Sequence, residues 1–71
     1  MITHVDVADV GAGRRRRLVV GSDGVLVLGE ERRALGRGWA WVLVSARLVE
    51  PHEVPHCAPD VRAAWKRAVC S

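Results

Sequence analysis

The stretch from Trp39 to Val49, Trp-Ala-Trp-Val-Leu-Val-Ser-Ala-Arg-Leu-Val, constrains the fold more than any other part of the chain. It is the longest apolar run. Ala40, Val42, Val44, Ala46 and Leu48 alternate with Trp39, Trp41, Leu43, Ser45, Arg47 and Val49. Successive side chains of a strand point to opposite faces. The even positions therefore predict one fully apolar face, and the odd positions a face that begins apolar and turns polar. That is the pattern of a central strand in a small sheet. It outruns the usual strand of about 5–6 residues, which predicts a bend near Ser45 and Arg47.

Other elements gather around it. Residues 2–10 alternate Val5 and Val7 with His4, Asp6 and Ala8, a half-buried strand near an edge. Gly11-Ala12-Gly13 breaks it. A second strand over 16–20 begins inside the run Arg14 to Arg17, so that two arginines point to each face. Gly21-Ser22-Asp23-Gly24, between Leu18-Val19-Val20 and Val25-Leu26-Val27-Leu28, predicts a tight β-hairpin with its second strand over 25–29. Residues 29–38 hold three glycines and read as a loop or one helical turn. Pro51, Pro55 and Pro59 make 51–58 a connector that is neither a regular helix nor a central strand. Pro59 suits the first position of a helix over 59–70. Val61, Ala64, Trp65, Ala68 and Val69 then form one apolar stripe, with Arg62, Lys66 and Arg67 on the other side.

The expected fold is a single α+β, β-rich domain: a small antiparallel sheet or an SH3-like, partly open barrel of four to five strands, carrying one C-terminal amphipathic helix. A chain of 71 residues buries little surface, so a partner or a second copy is an expected source of stability. With no Phe or Tyr, the three tryptophans carry all aromatic bulk. Trp39, Trp41, Val42, Val44 and Trp65 are the expected core.

No segment reaches the roughly 18 apolar residues of a membrane span, so no membrane partner is expected. The start lacks the basic-then-apolar pattern of a secretory signal. Two cysteines without such a signal predict a reduced, cytoplasmic setting.

The net charge is +3, and the basic charge sits before the Trp39–Val49 stretch. Arg14, Arg15, Arg16, Arg17, Arg32, Arg33 and Arg37 form a candidate polyanion-binding set, since guanidinium groups grip phosphates in a bidentate way. A solvated strand edge accounts for the same run. His52, His56, Cys57 and Cys70 are zinc-ligand residue types. Cys57 and Cys70 flank the helix, about 16 Å apart by helical rise, too far for a disulfide or a shared ion. His52, His56 and Cys57, with His4, remain a partial grouping, and no metal site is assigned. No nucleophile elbow, catalytic triad, phosphate loop or dinucleotide fingerprint is present, so neither enzyme activity nor a cofactor is expected.

Leu18-Val19-Val20, Asp23-Gly24, Arg32-Arg33, Gly36-Arg37-Gly38 and Trp41 together resemble the middle of the YlxR-type small RNA-binding proteins, which place a Gly-Arg-Gly-aromatic signature after a hairpin. The resemblance covers about a third of the chain. The paired-cysteine motif of that family is missing, and residues 43–56 depart from its pattern. It implies RNA contact. The expected function remains a non-enzymatic protein-interaction module that binds a protein partner or itself. The alternative is a small nucleic-acid-binding protein working through the arginines.

Overall fold

The computed structural model describes residues 2–70. Strands β1 (Ile2–Gly11), β2 (Arg14–Gly21), β3 (Gly24–Leu35) and β4 (Gly38–Val49) are followed by a 3₁₀ helix (Pro51–His56) and helix α1 (Pro59–Cys70). Each strand runs antiparallel to the next, in the order β1-β2-β3-β4. The sheet is an open meander with β1 and β4 as its edges. The expected antiparallel sheet with a C-terminal helix forms. A barrel does not, and β4 is an edge strand rather than a central one.

All three hairpins are tight. Gly11 pairs with Arg14, leaving Ala12 and Gly13 as turn residues with φ of 54° and 71°. Two left-handed residues match the twist of the flanking strands. Gly21 pairs with Gly24 around Ser22-Asp23, the hairpin expected from sequence. A Cβ at Gly24, where φ is 130°, would collide with the Val49 carbonyl oxygen, so only glycine fits. Leu35 pairs with Gly38 around Gly36-Arg37.

One sequence expectation is corrected here. Residues 29–38 are neither loop nor helical turn; β3 continues to Leu35. Its outer half is held by charge instead of apolar alternation. Glu30 and Glu31 oppose Arg15 and Arg14 on β2, and Arg15 Nε donates to Glu30 Oε1 at 2.8 Å. The proline-rich connector is neither a regular α-helix nor a strand, and is ordered. It forms 3₁₀ turns in which Glu53 N–H donates to Glu50 C=O (2.9 Å) and Cys57 N–H to Val54 C=O (3.0 Å). Pro51 stands at its start, where a missing N–H costs nothing, and buried Val54 anchors it.

Cross-strand pairs share a face of the sheet. Leu18 and Val20 of β2, Val25 and Val27 of β3 and Val49 of β4 all turn toward α1. The buried core is Leu18, Val20, Val25, Val49, Val54, Val61 and Ala64, with Val27, Cys57, Trp65 and Ala68 packed against it. Val61, Ala64, Trp65 and Ala68 are four of the five residues anticipated for the helix stripe; the fifth, Val69, is exposed. Arg62, Lys66 and Arg67 are exposed.

The alternation along β4 breaks at a bulge. Ser45 pairs with Gly29, but the next residue of β3, Glu30, pairs with Leu43. Val44 is the extra residue, and its neighbours change face across it. Below the bulge, odd positions face α1; above it, even positions do. The continuous even-numbered apolar face expected for this strand therefore does not exist. Trp39 and Val44 are exposed, Trp41 and Val42 are half-buried, and none of the four belongs to the buried core. Trp39 lies where the β3–β4 hairpin has run past the last β2 pair, Arg14 with Glu31, so neither a third strand nor α1 covers it.

Candidate functional site

No described element packs on the face of the sheet opposite α1, and the residues of that face follow from the register. Its first cross-strand row is Val5, Val19, Leu26 and Leu48. The second is Val7, Arg17, Leu28 and Ala46, and the third is Asp9, Arg15, Glu30 and Leu43. Arg32 with Trp41, then Ala34 with Trp39, continue it along the protruding hairpin. Val5 is 51% exposed, Val7 57%, Leu43 56% and Leu48 49%. Single exposed apolar residues are ordinary, but a contiguous set on one surface marks a contact site.

The two tryptophans end this face. Their rings meet edge to face with centroids 5.9 Å apart. Arg15 lies over the Trp41 ring (4.2 Å to the centroid) and Arg32 over the Trp39 ring (4.3 Å). Such cation–π contacts contribute about 0.5–1 kcal/mol each at exposed sites. They hold the rings in place while Trp39 remains 53% exposed.

The four-arginine run is divided as expected, with Arg14 and Arg16 on the α1 side and Arg15 and Arg17 on the open side. Each has a carboxylate neighbour. Arg14 is 3.4 Å from Glu31, Arg16 is 3.5 Å from Asp60, and Arg15 and Arg17 are 2.8 Å and 3.4 Å from Glu30. Glu30 is shielded, its side chain 11% exposed. Arg33 pairs with Glu31 at 3.1 Å. The seven candidate arginines thus form no single basic surface. Arg32 and Arg37 lie near the hairpin tip, while the others are spread over both faces.

On the α1 side, an open cleft of about 870 Å³ lies between β4, the 3₁₀ helix and the start of α1. Val27, Val49 and Val61 floor it, and Arg16, Arg47, His52, Glu53, His56 and Cys57 line its walls. Arg47 donates to Glu53 at 3.1 Å, and Cys57 Sγ donates to the Glu53 carbonyl at 3.4 Å. The cleft brings His52, His56 and Cys57 to one place. The close grouping of ligand-type atoms among the described residues is a different one, Glu50, His52 and Glu53, on the exposed rim. His4 lies on β1 at the opposite edge of the sheet, 3.1 Å from Asp6, which also pairs with Arg67 of α1. Cys57 and Cys70 are both free thiols. No helix among the described residues is long and apolar enough to cross a membrane.

Sequence reasoning missed the open face because it assigned Trp39, Trp41 and Val44 to the core. A signal for it exists. Leu18-Val19-Val20 and Val25-Leu26-Val27-Leu28 are apolar at every position, the mark of strands apolar on both faces. One helix covers only one face.

Comparison with models of protein families, with curated proteins and with solved structures gave no match. The partial YlxR-like pattern therefore carries no family assignment.

Proposed function

We propose that the protein is a non-enzymatic interaction module that works by seating the open face of its sheet against another protein surface. The carrying observation is the first two rows of that face, in which Val5, Val19, Leu26 and Leu48, with Val7 and Leu28 on either side of Arg17, form a mostly apolar surface. Their burial against a partner is favourable at about 25 cal/mol per Å² of apolar area. The test is native mass spectrometry of the tagged protein expressed in its own host, beside Leu26→Glu. The module reading expects the wild-type chain in a larger assembly and the variant as a free chain. Wild type and variant both running as free chains would overturn it.

A second reading rests on the tip of the β3–β4 hairpin. Exposed Trp39 with Arg32 stacked on it and Arg37 at the turn is the combination that binds single-stranded nucleic acid by base stacking and phosphate contact. Affinity for a generic oligonucleotide should then fall steeply with salt. Trp39→Ala should lower that affinity at every salt concentration. No binding at low salt removes this reading.

A further inference from the structure

We propose that the occupant of the open face is a second copy of this chain, packed sheet on sheet about a two-fold axis that runs along the strands between β2 and β3. The proposal rests on the module reading above and names its partner.

Three observations carry it. The first is surface. A monomer of 7.8 kDa should expose about 4,400 Å². This chain exposes 4931 Å². An uncovered sheet face and the protruding β3–β4 hairpin both contribute to the surplus.

The second is size. Four strands spaced at about 4.8 Å are about 19 Å across, and the eight residues of β2 set a four-stranded length of about 27 Å, so the four-stranded face offers roughly 500 Å² of flat area, to which the two-stranded hairpin beyond it adds. One side of a standard protein–protein interface buries about 800 Å². The four-stranded face and the protruding hairpin together approach that requirement.

The third is complementarity. Rotation about an axis along the strands keeps each cross-strand row opposite itself and reverses its strand order. Row one then sets Val5 over Leu48 of the second copy, and Val19 over Leu26. Row two sets Val7 over Ala46, and the aliphatic stem of Arg17 over Leu28. Row three sets Arg15 over the second copy's Glu30, and Glu30 over its Arg15. Every apolar side chain of rows one and two meets apolar atoms, and the two central charges of row three meet their opposites, while Asp9 at the rim lies over Leu43. An axis across the strands at row two would instead set Arg17 against Arg17. Two sheets packed face to face in this way, about 10 Å apart, make a sandwich whose second core layer each chain lacks alone.

The edges are poorer routes to self-association. The bulge at Val44 interrupts β4, and β1 carries His4, Asp6 and Asp9. Bulges and charges of this kind discourage edge-to-edge pairing.

The experiment uses the full chain with Cys57→Ser and Cys70→Ser, so that only introduced thiols react. Sedimentation equilibrium at micromolar concentration should give twice 7.8 kDa, and Leu26→Glu should give 7.8 kDa with an unchanged strand signal by circular dichroism. Contact is then mapped with a short bismaleimide linker. Within one chain Val5 and Leu48 are three strand spacings apart, about 14 Å, beyond such a linker. Val5→Cys combined with Leu48→Cys should give covalent dimers, and each single variant should not. Efficient dimers from either single variant would mean edge pairing and overturn the face-to-face arrangement. A monomeric wild-type protein overturns the second copy as occupant. If that monomer still assembles with another protein in its host, and Leu26→Glu prevents it, the module reading stands and only this inference falls. If it assembles with nothing, both fall.

Discussion

The two faces of the sheet are built from the same residue types and meet different fates. Toward α1, Leu18, Val20, Val25 and Val49 are at most 2% exposed. One position along each strand, Val19 and Leu26 stay half-buried and Leu48 exposed. The difference lies in what the chain can place over each face. Twelve residues of α1 and the 3₁₀ turn around Val54 cover one side of one end, and no other described element packs on the opposite side. Apolar composition alone does not define a core. A covering layer does, and here the chain supplies one layer for two faces.

Substitutions can break this contrast or sharpen it. The largest effect is expected on the covered face. Leu18→Ala should cost about 2–5 kcal/mol in urea denaturation, enough to unfold much of so small a domain. The same truncation at Leu26 should cost under about 1.5 kcal/mol in dilute protein, where that face is half-solvated, and more as concentration rises. Equal costs at all concentrations would erase the distinction between the faces. Gly24→Ala comes next, since a Cβ there meets the Val49 carbonyl and φ is 130°. A loss of about 1–3 kcal/mol is expected, read as a lower urea midpoint with an unchanged slope. Glu30→Gln removes the carboxylate shared by Arg15 and Arg17 and should cost about 1–3 kcal/mol. Added salt should narrow that gap only slightly, because the carboxylate is shielded. The smallest effect belongs to the exposed Arg47–Glu53 pair. Arg47→Ala should change stability by no more than about 1 kcal/mol, and less at high salt.

Much of the covered half was legible in the sequence. The Gly21-Ser22-Asp23-Gly24 hairpin and the stripe Val61, Ala64, Trp65, Ala68 rest on local chemistry, turn residues and helical periodicity. Those signals survive without knowledge of the partners. Two features were hidden because they depend on distant residues. The outer half of β3 is polar, and Gly29-Glu30-Glu31-Arg32-Arg33 reads as a strand only once Arg14 and Arg15 stand opposite the glutamates. The bulge at Val44 is visible only in the register against Gly29 and Glu30, and without it Trp39 and Trp41 were placed on the wrong side of the protein's economy, in the core. The candidate surface was harder to read than the fold for the same reason: its arginines look like one cluster along the chain and are distributed over two faces in space.

The bulge has a further consequence. One inserted residue changes the parity of everything before it on β4. Below Val44, the strand gives Val49 to the helix side; above it, the same strand gives Trp41 and Trp39 to the opposite side. Removing Val44 would restore a single parity. Either the lower segment would lose Val49 from beneath α1, or both indoles would be turned to the other surface, away from Arg15 and Arg32. A deletion of one residue at an exposed edge would thereby act like a rotation of half a strand by 180°. Its effect should register first in tryptophan fluorescence, as the indoles lose or exchange their guanidinium neighbours.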